Sequence, residues 1–152
     1  MSKLQVTNEA IINAPVDKIW AVITDINLLT KLNPGAVQAK GRMDRQGETR
    51  TVEIDINGRK GTFNERLIEL VPEKKTVWTI EHDTMGMSKM LKETRFVTNL
   101  EKIDDNKTKV TNETHYHPVN FIGKIMSALM VKPMFGKMQQ QILTNIKILT
   151  EK

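Results

Sequence analysis

The stretch NFIGKIMSALMVKPMFGKMQQQILTNIKILTE, from Asn120 to Glu151, decides the fold because it is long and its apolar residues recur at helical spacing. At about 100° per residue they form two clusters on nearly opposite sides of one helix. The first cluster is Ile122, Ile125, Met126 and Leu129, and the second is Phe135, Met138, Ile142, Ile146 and Leu149. Pro133 lies between them, and a proline inside a helix removes a hydrogen bond and clashes with the preceding turn. The pattern predicts a long C-terminal helix with a break or sharp kink near Val131–Met134.

The segment before this helix, from Val37 to His117, shows an apolar alternation with a period of two, which is typical of β-strands. Short turn signals divide it into six strands. Asn57-Gly58 is the strongest signal, because both residues tolerate the positive φ of a tight hairpin turn. Since short turns join antiparallel neighbours, we expect these strands to pair antiparallel. The stretch LQVTNEAIIN, at residues 4–13, adds a first strand and gives seven in total.

Two short helices are predicted between the first strand and the other six. PVDKIWAVITD begins with a proline that a first helical turn tolerates, and INLLTKL stops at Asn33-Pro34-Gly35. A curved antiparallel sheet has one inner face to cover, and the C-terminal helix offers the largest apolar surface. We therefore expect an α+β fold in which a seven-stranded curved antiparallel sheet wraps around this helix. A chain of 152 residues suits one such domain, which would span residues 1–152.

This order of elements is similar to the helix-grip fold of the START/Bet v1-like (SRPBCC) superfamily, and the chain resembles its bacterial polyketide cyclase/dehydrase-type branch. The resemblance is carried by INAPVDKIWAVITD (residues 12–25), LNPG (32–35), LIELVPEKKTVW (67–78), RFVTNLEKIDDNKTKVTNETHYHP (95–118) and the terminal helix. It implies a cavity between sheet and helix that holds lipids, hormones, polyketides or other apolar compounds. In such families some members are enzymes and many are carriers or sensors, so the resemblance supports fold better than function.

Methionines are the main candidates for a ligand-binding surface on the terminal helix. Four of them follow one another at intervals of four residues, namely Met126, Met130, Met134 and Met138. Methionine is unbranched and polarisable, so it conforms to irregular ligands, although plain core filling is the alternative. Met85, Met87 and Met90 crowd the turn between two late strands, where they predict either a flexible entrance or a surface loop rich in methionine.

Strand alternation supplies the other candidates. The predicted lining from the sheet is Trp78, Ile80, His82, Phe96, Asn112 and Tyr116. Ligand pockets are usually apolar with a few convergent polar groups, and His82, Asn112 and Tyr116 would be those groups here. The alternative is that each is a core polar group with a partner. A shift of one residue in the alternation would turn any of these sets outward.

No residue is assigned a catalytic role. A cyclase or dehydratase would need a general acid or base in the pocket, and His82 with Tyr116 is the best pair that the sequence offers. Glu65 and Arg66 lie where two apolar alternations compete, so one of them must point inward, and which one stays open.

No metal and no cofactor are predicted. His115 and His117 point the same way on one strand, but they are expected to face outward and no third ligand is identifiable. The absence of cysteine excludes disulfides and thiolate metal sites.

The formal net charge is +5, and from Pro118 to the end the chain has five lysines against one acid. The interpretations are a solvated lysine face or attraction for acidic amphiphiles or a membrane surface. Nucleic acid is not expected as a partner, because the basic residues are not interleaved with aromatic ones. No apolar run reaches the roughly 20 residues of a membrane span, and the N-terminus has no apolar signal core. We therefore expect a cytoplasmic protein without stable membrane insertion, and its oligomeric state stays open.

Three functional hypotheses follow. The leading one is binding or transport of an apolar or amphipathic small molecule, such as a lipid or polyketide, between sheet and C-terminal helix. The alternative is an enzyme of the polyketide cyclase, dehydratase or aromatase type that acts in the same cavity. The third is a protein–protein module in which the terminal helix serves a partner.

Overall fold

The structure is a computed structural model that describes residues 2–151. The strands are β1 (Lys3–Ile12), β2 (Ala36–Gly41), β3 (Thr49–Ile56), β4 (Arg59–Val71), β5 (Lys75–Asp83), β6 (Leu91–Asp104) and β7 (Lys107–Pro118). The helices are α1 (Val16–Ile23), α2 (Leu29–Leu32), α3 (Met87–Met90), α4 (Phe121–Met126) and α5 (Lys132–Thr150). A 3₁₀ turn at Ile26–Leu28 precedes α2, and a π-helical turn at Ser127–Val131 joins α4 to α5.

All seven strands form one antiparallel sheet in the order β1-β7-β6-β5-β4-β3-β2. Neighbours in the chain are neighbours in the sheet from β2 to β7, as short turns require. The helical pair α1–α2 carries the chain from β1, at one edge, to β2, at the other. The predicted helix-grip fold, with short helices after the first strand and a long C-terminal helix, is confirmed.

The C-terminal helix runs without interruption for 30 residues, from Phe121 to Thr150. The expected break does not occur. Pro133 lies in the first turn of α5, directly after the π turn. A proline has no N–H to donate to the preceding turn, so one intrahelical hydrogen bond is missing. A wider π turn is one way in which a helix accommodates that loss without ending. The expected irregularity is therefore present, but it is a π turn inside a continuous helix.

Three apolar clusters form the core, and the first and third of them hold the C-terminal helix on the sheet. The first joins α5 to β1, β7 and α1 around Ile12, Ile19, Val110, Leu143 and Ile146. The second surrounds Trp78 on the inner face of β3, β4 and β5, and includes Leu29, Met43, Val52 and Leu67. The third joins the middle of the helix to β6 and β7 through Leu91, Tyr116, Val131 and Phe135. Phe96 packs against the second and the third cluster, so the aromatic residues lie where the two meet.

Two β-bulges interrupt the pairing of β4 with β5. Leu67 pairs with Trp78 and Glu69 with Val77, which leaves Ile68 without a partner across the pair. This extra residue resets the alternation of β4, so that Leu67 and Leu70 both pack in the cluster around Trp78. The two competing apolar alternations in the sequence of β4 are therefore both used, one on each side of the bulge.

Candidate functional site

Aromatic rings form the apolar part of the inner face. Trp78 pairs across β5 and β6 with Phe96, which in turn pairs with Thr114 of β7. Phe135 of α5 meets the Phe96 ring edge-to-face, with centroids 5.7 Å apart, and its centroid is 6.1 Å from that of Tyr116. Aromatic pairs of this geometry bury much area in defined orientations. The structure thus brings Trp78, Phe96 and Tyr116, all predicted as site residues, onto the inner face of the sheet, where Phe96 and Tyr116 contact the helix.

A buried ion pair is the feature that the sequence prediction missed. Arg50 on β3 lies directly opposite Glu65 on β4, and the Arg50 Nε donates to Glu65 Oε1 over 2.7 Å. Each side chain is only 9% exposed. The guanidinium carbon lies 3.8 Å from the centroid of the Trp78 ring, and Nη1 is 3.6 Å from the Met43 sulfur. Arg50 is therefore held by a carboxylate on one side and by an aromatic face on another, and both contacts stabilise a cation.

The structure also settles the open choice between Glu65 and Arg66. Glu65 faces inward, whereas Arg66 faces outward and binds Glu81 through Nε and Nη2 at 2.8 and 3.0 Å. This outer pair holds the pKa of the Glu81 carboxyl below its ordinary value, mainly through the hydrogen bond from Arg66. The alternation of Val52 and Ile54 on β3, extended two residues back, could have placed Arg50 on the inner face.

Asn112 and its neighbours form a polar strip beneath α5. The Asn112 Oδ1 accepts a 3.0 Å hydrogen bond from Thr98, but its Nδ2 is buried and has no partner among the described residues. Next to it, Gln139 of α5 donates to the Thr114 hydroxyl at 2.9 Å and accepts from the Asn8 amide at 2.9 Å. An unpaired buried N–H lowers stability, so the Asn112 amide is a donor with capacity for a ligand.

Tyr116 is fully buried, and its hydroxyl lies 2.5 Å from the Ser127 Oγ at the start of the π turn. Burial raises the pKa of the Tyr116 phenol, an effect that the hydrogen bond with Ser127 partly opposes. The phenol is therefore neutral at ordinary pH. It acts as a hydrogen-bonding group and is not suited to act as a base.

His82 does not lie where the alternation predicted. Glu65 pairs with Ile80, but Asn64 pairs with His82, which leaves Glu81 as an extra residue on β5. This bulge turns His82 to the outer face, where it is exposed, while Ile80 stays on the inner face. The prediction that His82 lines the interior is therefore wrong, and His82 cannot act together with Tyr116, because the two side chains lie on opposite faces of the sheet.

The four methionines of the terminal helix are divided between inside and outside. Met138 packs against the cluster of Tyr116 and Phe135, and Met126 is half-buried. Met130 and Met134 are 60% and 41% exposed, so the prediction that they line the interior is wrong. The buried residues Ser127, Val131, Phe135 and Gln139 have the same spacing of four, and each methionine comes one residue before one of them, so the methionine series lies beside the surface that faces the sheet.

The segment between β5 and β6 is tied to the sheet by Asp83. Its carboxylate accepts hydrogen bonds from the backbone N–H groups of Met85, Met87 and Ser88 and from the Ser88 hydroxyl. Burial acts to raise the pKa of Asp83, but these hydrogen bonds together outweigh it and the pKa is lowered. Met87 packs against the Tyr116 cluster, Met85 is half-buried and Met90 is exposed, so the three methionines of this segment differ in burial and its role as an entrance stays a prediction.

Two concavities open beside the inner face. One, of about 320 Å³, lies where β5 and β6 part, and it is lined by Ile80, Ser88, Leu91, Lys92, Glu93 and Thr94. The other, of about 440 Å³, lies between the end of α1 and the end of β2, and Met43 forms part of its wall. Leu91 and Met43 also belong to the apolar clusters around Tyr116 and Trp78, so each concavity adjoins the inner face through one side chain.

His115 lies on the outer face, where its Nε2 is 2.8 Å from Glu113 Oε1. His117 lies 3.8 Å from Glu93 on the neighbouring strand. Within residues 2–151, no group of three or more histidine and acidic side chains is placed to hold a metal ion. In the same part of the chain, no helix is both long and apolar enough to cross a membrane.

An apolar inner face with a few polar groups, closed by a long C-terminal helix, defines a helix-grip ligand-binding domain of the START/polyketide cyclase type. A family model described as polyketide cyclase/dehydrase and lipid transport matches residues 3–151, and the chain belongs to that family. The sequence has no match among curated proteins.

Solved structures with the same fold share little sequence with this chain. A START superfamily protein from Mycobacterium smegmatis aligns with a TM-score of 0.76 at 10% identity, over 98% of each chain. Protein CV1439 from Chromobacterium violaceum aligns with a TM-score of 0.72 at 18% identity, over 97% of this chain and 96% of that one. The Zhui aromatase/cyclase from Streptomyces sp. R1128 aligns with a TM-score of 0.70 at 13% identity, over 95% and 94%. At these identities the likeness establishes the fold alone.

Proposed function

We propose that the protein binds an apolar or amphipathic small molecule between the inner face of the sheet and the C-terminal helix. The observation that carries the proposal is the Asn112 amide, whose buried Nδ2 has no partner among the described residues although it lies beneath α5. A ligand acceptor at this position would satisfy the donor. The aromatic surface of Trp78, Phe96 and Phe135 would bury the apolar part of the same ligand.

The charges of the inner face indicate the kind of polar group that fits. Arg50 is neutralised by Glu65, and the Tyr116 phenol is neutral because burial raises its pKa. A charged ligand group would meet no free counter-charge at these residues, and its desolvation would be unfavourable. The proposal is therefore most specific for an amphipathic ligand with an uncharged hydroxyl or carbonyl group. The oxygen of that group would accept a hydrogen bond from the Asn112 Nδ2.

An enzymatic role is the second candidate, and one observation favours it. The carboxylate of Glu65 faces the interior of a fold that the Zhui aromatase/cyclase shares. The Glu65 carboxylate is bound to Arg50, so this role requires the ligand to displace the guanidinium. Turnover of polyketide-like substrates that is lost in Glu65→Gln would support it, and a ligand recovered unchanged after incubation would contradict it.

Ligand binding can be measured with N-phenyl-1-naphthylamine, an uncharged apolar probe whose fluorescence rises on transfer from water. We expect saturable binding of one probe per chain and displacement by 1-decanol more readily than by decanoate. In Asn112→Leu we expect the affinity for the alcohol to fall by about tenfold, since one hydrogen bond to a buried donor is lost.

The matched control is Asn99→Leu on β6. Asn99 lies on the outer face, where its amide binds Glu113, so this variant should retain the affinity of the parent protein. Probe binding must also survive replacement of exposed apolar residues on the outside of α4. Absence of saturable binding, or equal loss in both asparagine variants, would contradict an inner-face site.

A further inference from the structure

The outside of the C-terminal helix carries an apolar surface that the fold does not cover. We call it the outer apolar face, and it consists of Phe121, Ile122, Ile125, Leu129, Met130 and Met134. Phe121, Ile122 and Leu129 are each at least 70% exposed. Single exposed apolar residues are ordinary, but six within fourteen consecutive positions form a contiguous patch. Patches of this kind mark a surface that meets a partner or a membrane.

The continuity of the helix explains why this surface points outward. Every fourth residue from Gly123 to Gln139 faces the sheet and is buried: Gly123, Ser127, Val131, Phe135 and Gln139. The first apolar cluster of the sequence lies on the opposite side of the same helix from the second. Because the helix continues through Pro133, only one of the two clusters can face the sheet. The second cluster packs into the core, whereas Ile122, Ile125 and Leu129 of the first cluster are left exposed.

The charge on the helix that carries the outer apolar face has one sign. No acidic residue occurs between Val119 and Thr150, and Lys124, Lys132 and Lys137 are exposed along the helix. The α3 segment adjoins α4, since the Val119 N–H donates to the Met90 carbonyl at 2.9 Å. That segment adds exposed Lys89 and Lys92, and the acid that follows them, Glu93, lies 3.8 Å from His117.

We propose that the outer apolar face docks on an anionic lipid membrane, with the helix lying in the plane of the interface. Helices that bind in this way combine a buried apolar side with flanking lysines that are attracted to anionic headgroups. A second copy of the chain is a poorer occupant. A symmetric contact through this face would bring Lys124 and Lys132 of both copies together, and no acidic residue of the helix is present to pair with them.

Docking in this orientation would bring the concavity between β5 and β6 close to the lipid. Lys92 lines that concavity, and two residues before it the Met90 carbonyl accepts a hydrogen bond from the Val119 N–H, just ahead of α4. The inference goes beyond the proposed ligand binding and does not depend on it, because it rests on exposed residues that take no part in the inner face.

Flotation with lipid vesicles tests the proposal. We expect the protein to float with vesicles of phosphatidylcholine and phosphatidylglycerol in equal parts, and to remain unbound with phosphatidylcholine alone. Ile125→Ser with Leu129→Ser should weaken binding by about tenfold or more, since two apolar side chains are lost from the interface. Lys124→Gln with Lys132→Gln should weaken it by about thirtyfold at low salt and reduce its dependence on salt.

Matched variants keep the test specific. Ile148→Ser removes a side chain that is 63% exposed on the same helix but outside the patch, and it should leave flotation unchanged. Lys40→Gln with Lys107→Gln removes the same charge from exposed positions elsewhere, and it should weaken flotation far less than the helix variant. Circular dichroism of each variant verifies that the fold is retained.

Several outcomes would overturn the proposal. They are no flotation of the parent protein, equal flotation with neutral vesicles, or flotation that survives the serine substitutions. A concentration-dependent dimer that Ile125→Ser with Leu129→Ser dissociates, together with no flotation, would assign the face to a second copy instead. Binding of N-phenyl-1-naphthylamine is measured separately, so failure of membrane docking leaves the ligand proposal standing, and the reverse also holds.

Discussion

A charged pair inside an apolar face is unfavourable to bury unless both partners are well bonded, because each ion loses its hydration. Arg50 meets that condition through Glu65 and Trp78, and these contacts hold it on the inner face near the start of β3. The intact pair therefore contributes little net stability. Removing one partner leaves a buried charge without a counter-charge and strongly destabilises the fold. This asymmetry can be measured directly.

We expect Glu65→Leu to lower the free energy of unfolding by about 3–5 kcal/mol, because it leaves the Arg50 guanidinium buried without a counter-charge. The double variant Arg50→Met with Glu65→Leu should recover most of that loss. Urea denaturation followed by tryptophan fluorescence measures both. Arg66 follows Glu65 on β4 and forms an exposed pair with Glu81. Arg66→Gln, which breaks that pair, should leave the unfolding midpoint nearly unchanged. Equal effects of Glu65→Leu and Arg66→Gln would contradict a buried role for the pair.

Tyr116 allows a test of burial by titration, because it is the chain's one tyrosine. Burial raises its pKa above the ordinary value of 10.0, so the folded protein keeps the phenolic proton at a pH where the unfolded chain has lost it. The resulting stability is complete below about pH 10 and is lost as the pH rises through the folded pKa. Tyrosinate absorbance should therefore rise at higher pH in the folded protein than in urea. Coincident titrations would contradict the buried position of the ring.

At the scale of single elements, the sequence predicts a side chain's face wherever the pairing is regular. Phe96 and Asn112 could be placed because β6 and β7 pair without a shift between Arg95 and Lys102. His82 could not, because a single unpaired residue, Glu81, turns it outward, and nothing in the local sequence marks a bulge there. Alternation is a local signal, whereas a bulge is decided by the neighbouring strand.

The terminal helix shows the same limit in another form. Both apolar clusters and the irregularity near Pro133 could be read from the sequence. The sequence does not distinguish a kink, which would bury both clusters, from a π turn, which leaves the first cluster outside. Met130 and Met134 were misplaced together, because the series that faces the sheet has the same spacing of four but begins one residue later, at Ser127.

Two glycines of this helix should respond differently to alanine. A Cβ on Gly136 would lie 3.8 Å from Val6 Cγ1, an ordinary contact, so Gly136→Ala should raise the free energy of unfolding by about 0.5–1 kcal/mol through helix propensity. A Cβ on Gly123 would lie 3.3 Å from the Met90 carbonyl oxygen, so Gly123→Ala should gain less or lose stability. Thermal unfolding compares them, and equal gains would contradict the close packing of α4 against α3.

Across the whole molecule, the two ends of the terminal helix are held very unequally. The last part, from Gln139 to Thr150, packs Leu143 and Ile146 into the cluster formed by β1, β7 and α1. The Asn145 amide also donates to the Leu32 carbonyl at 2.8 Å, which ties this part of the helix to α2. The first part, Phe121–Val131, buries three residues, Gly123, Ser127 and Val131, and includes the π turn. The C-terminal part of the helix is therefore packed more extensively than its N-terminal part. The N-terminal part lies beside the concavity between β5 and β6.

This inequality predicts a gradient of hydrogen exchange within one continuous helix. Backbone amides of residues 121–131 should exchange faster than those of residues 139–150 by about an order of magnitude or more, because local opening requires little apolar surface to be exposed there. Vesicles with phosphatidylglycerol should slow only the first set, while amides of β7 serve as an unaffected control. Uniform protection from Phe121 to Thr150 would mean that the helix opens as one unit. Ligand entry would then require the whole helix to leave the sheet, since the lightly held end could no longer open alone.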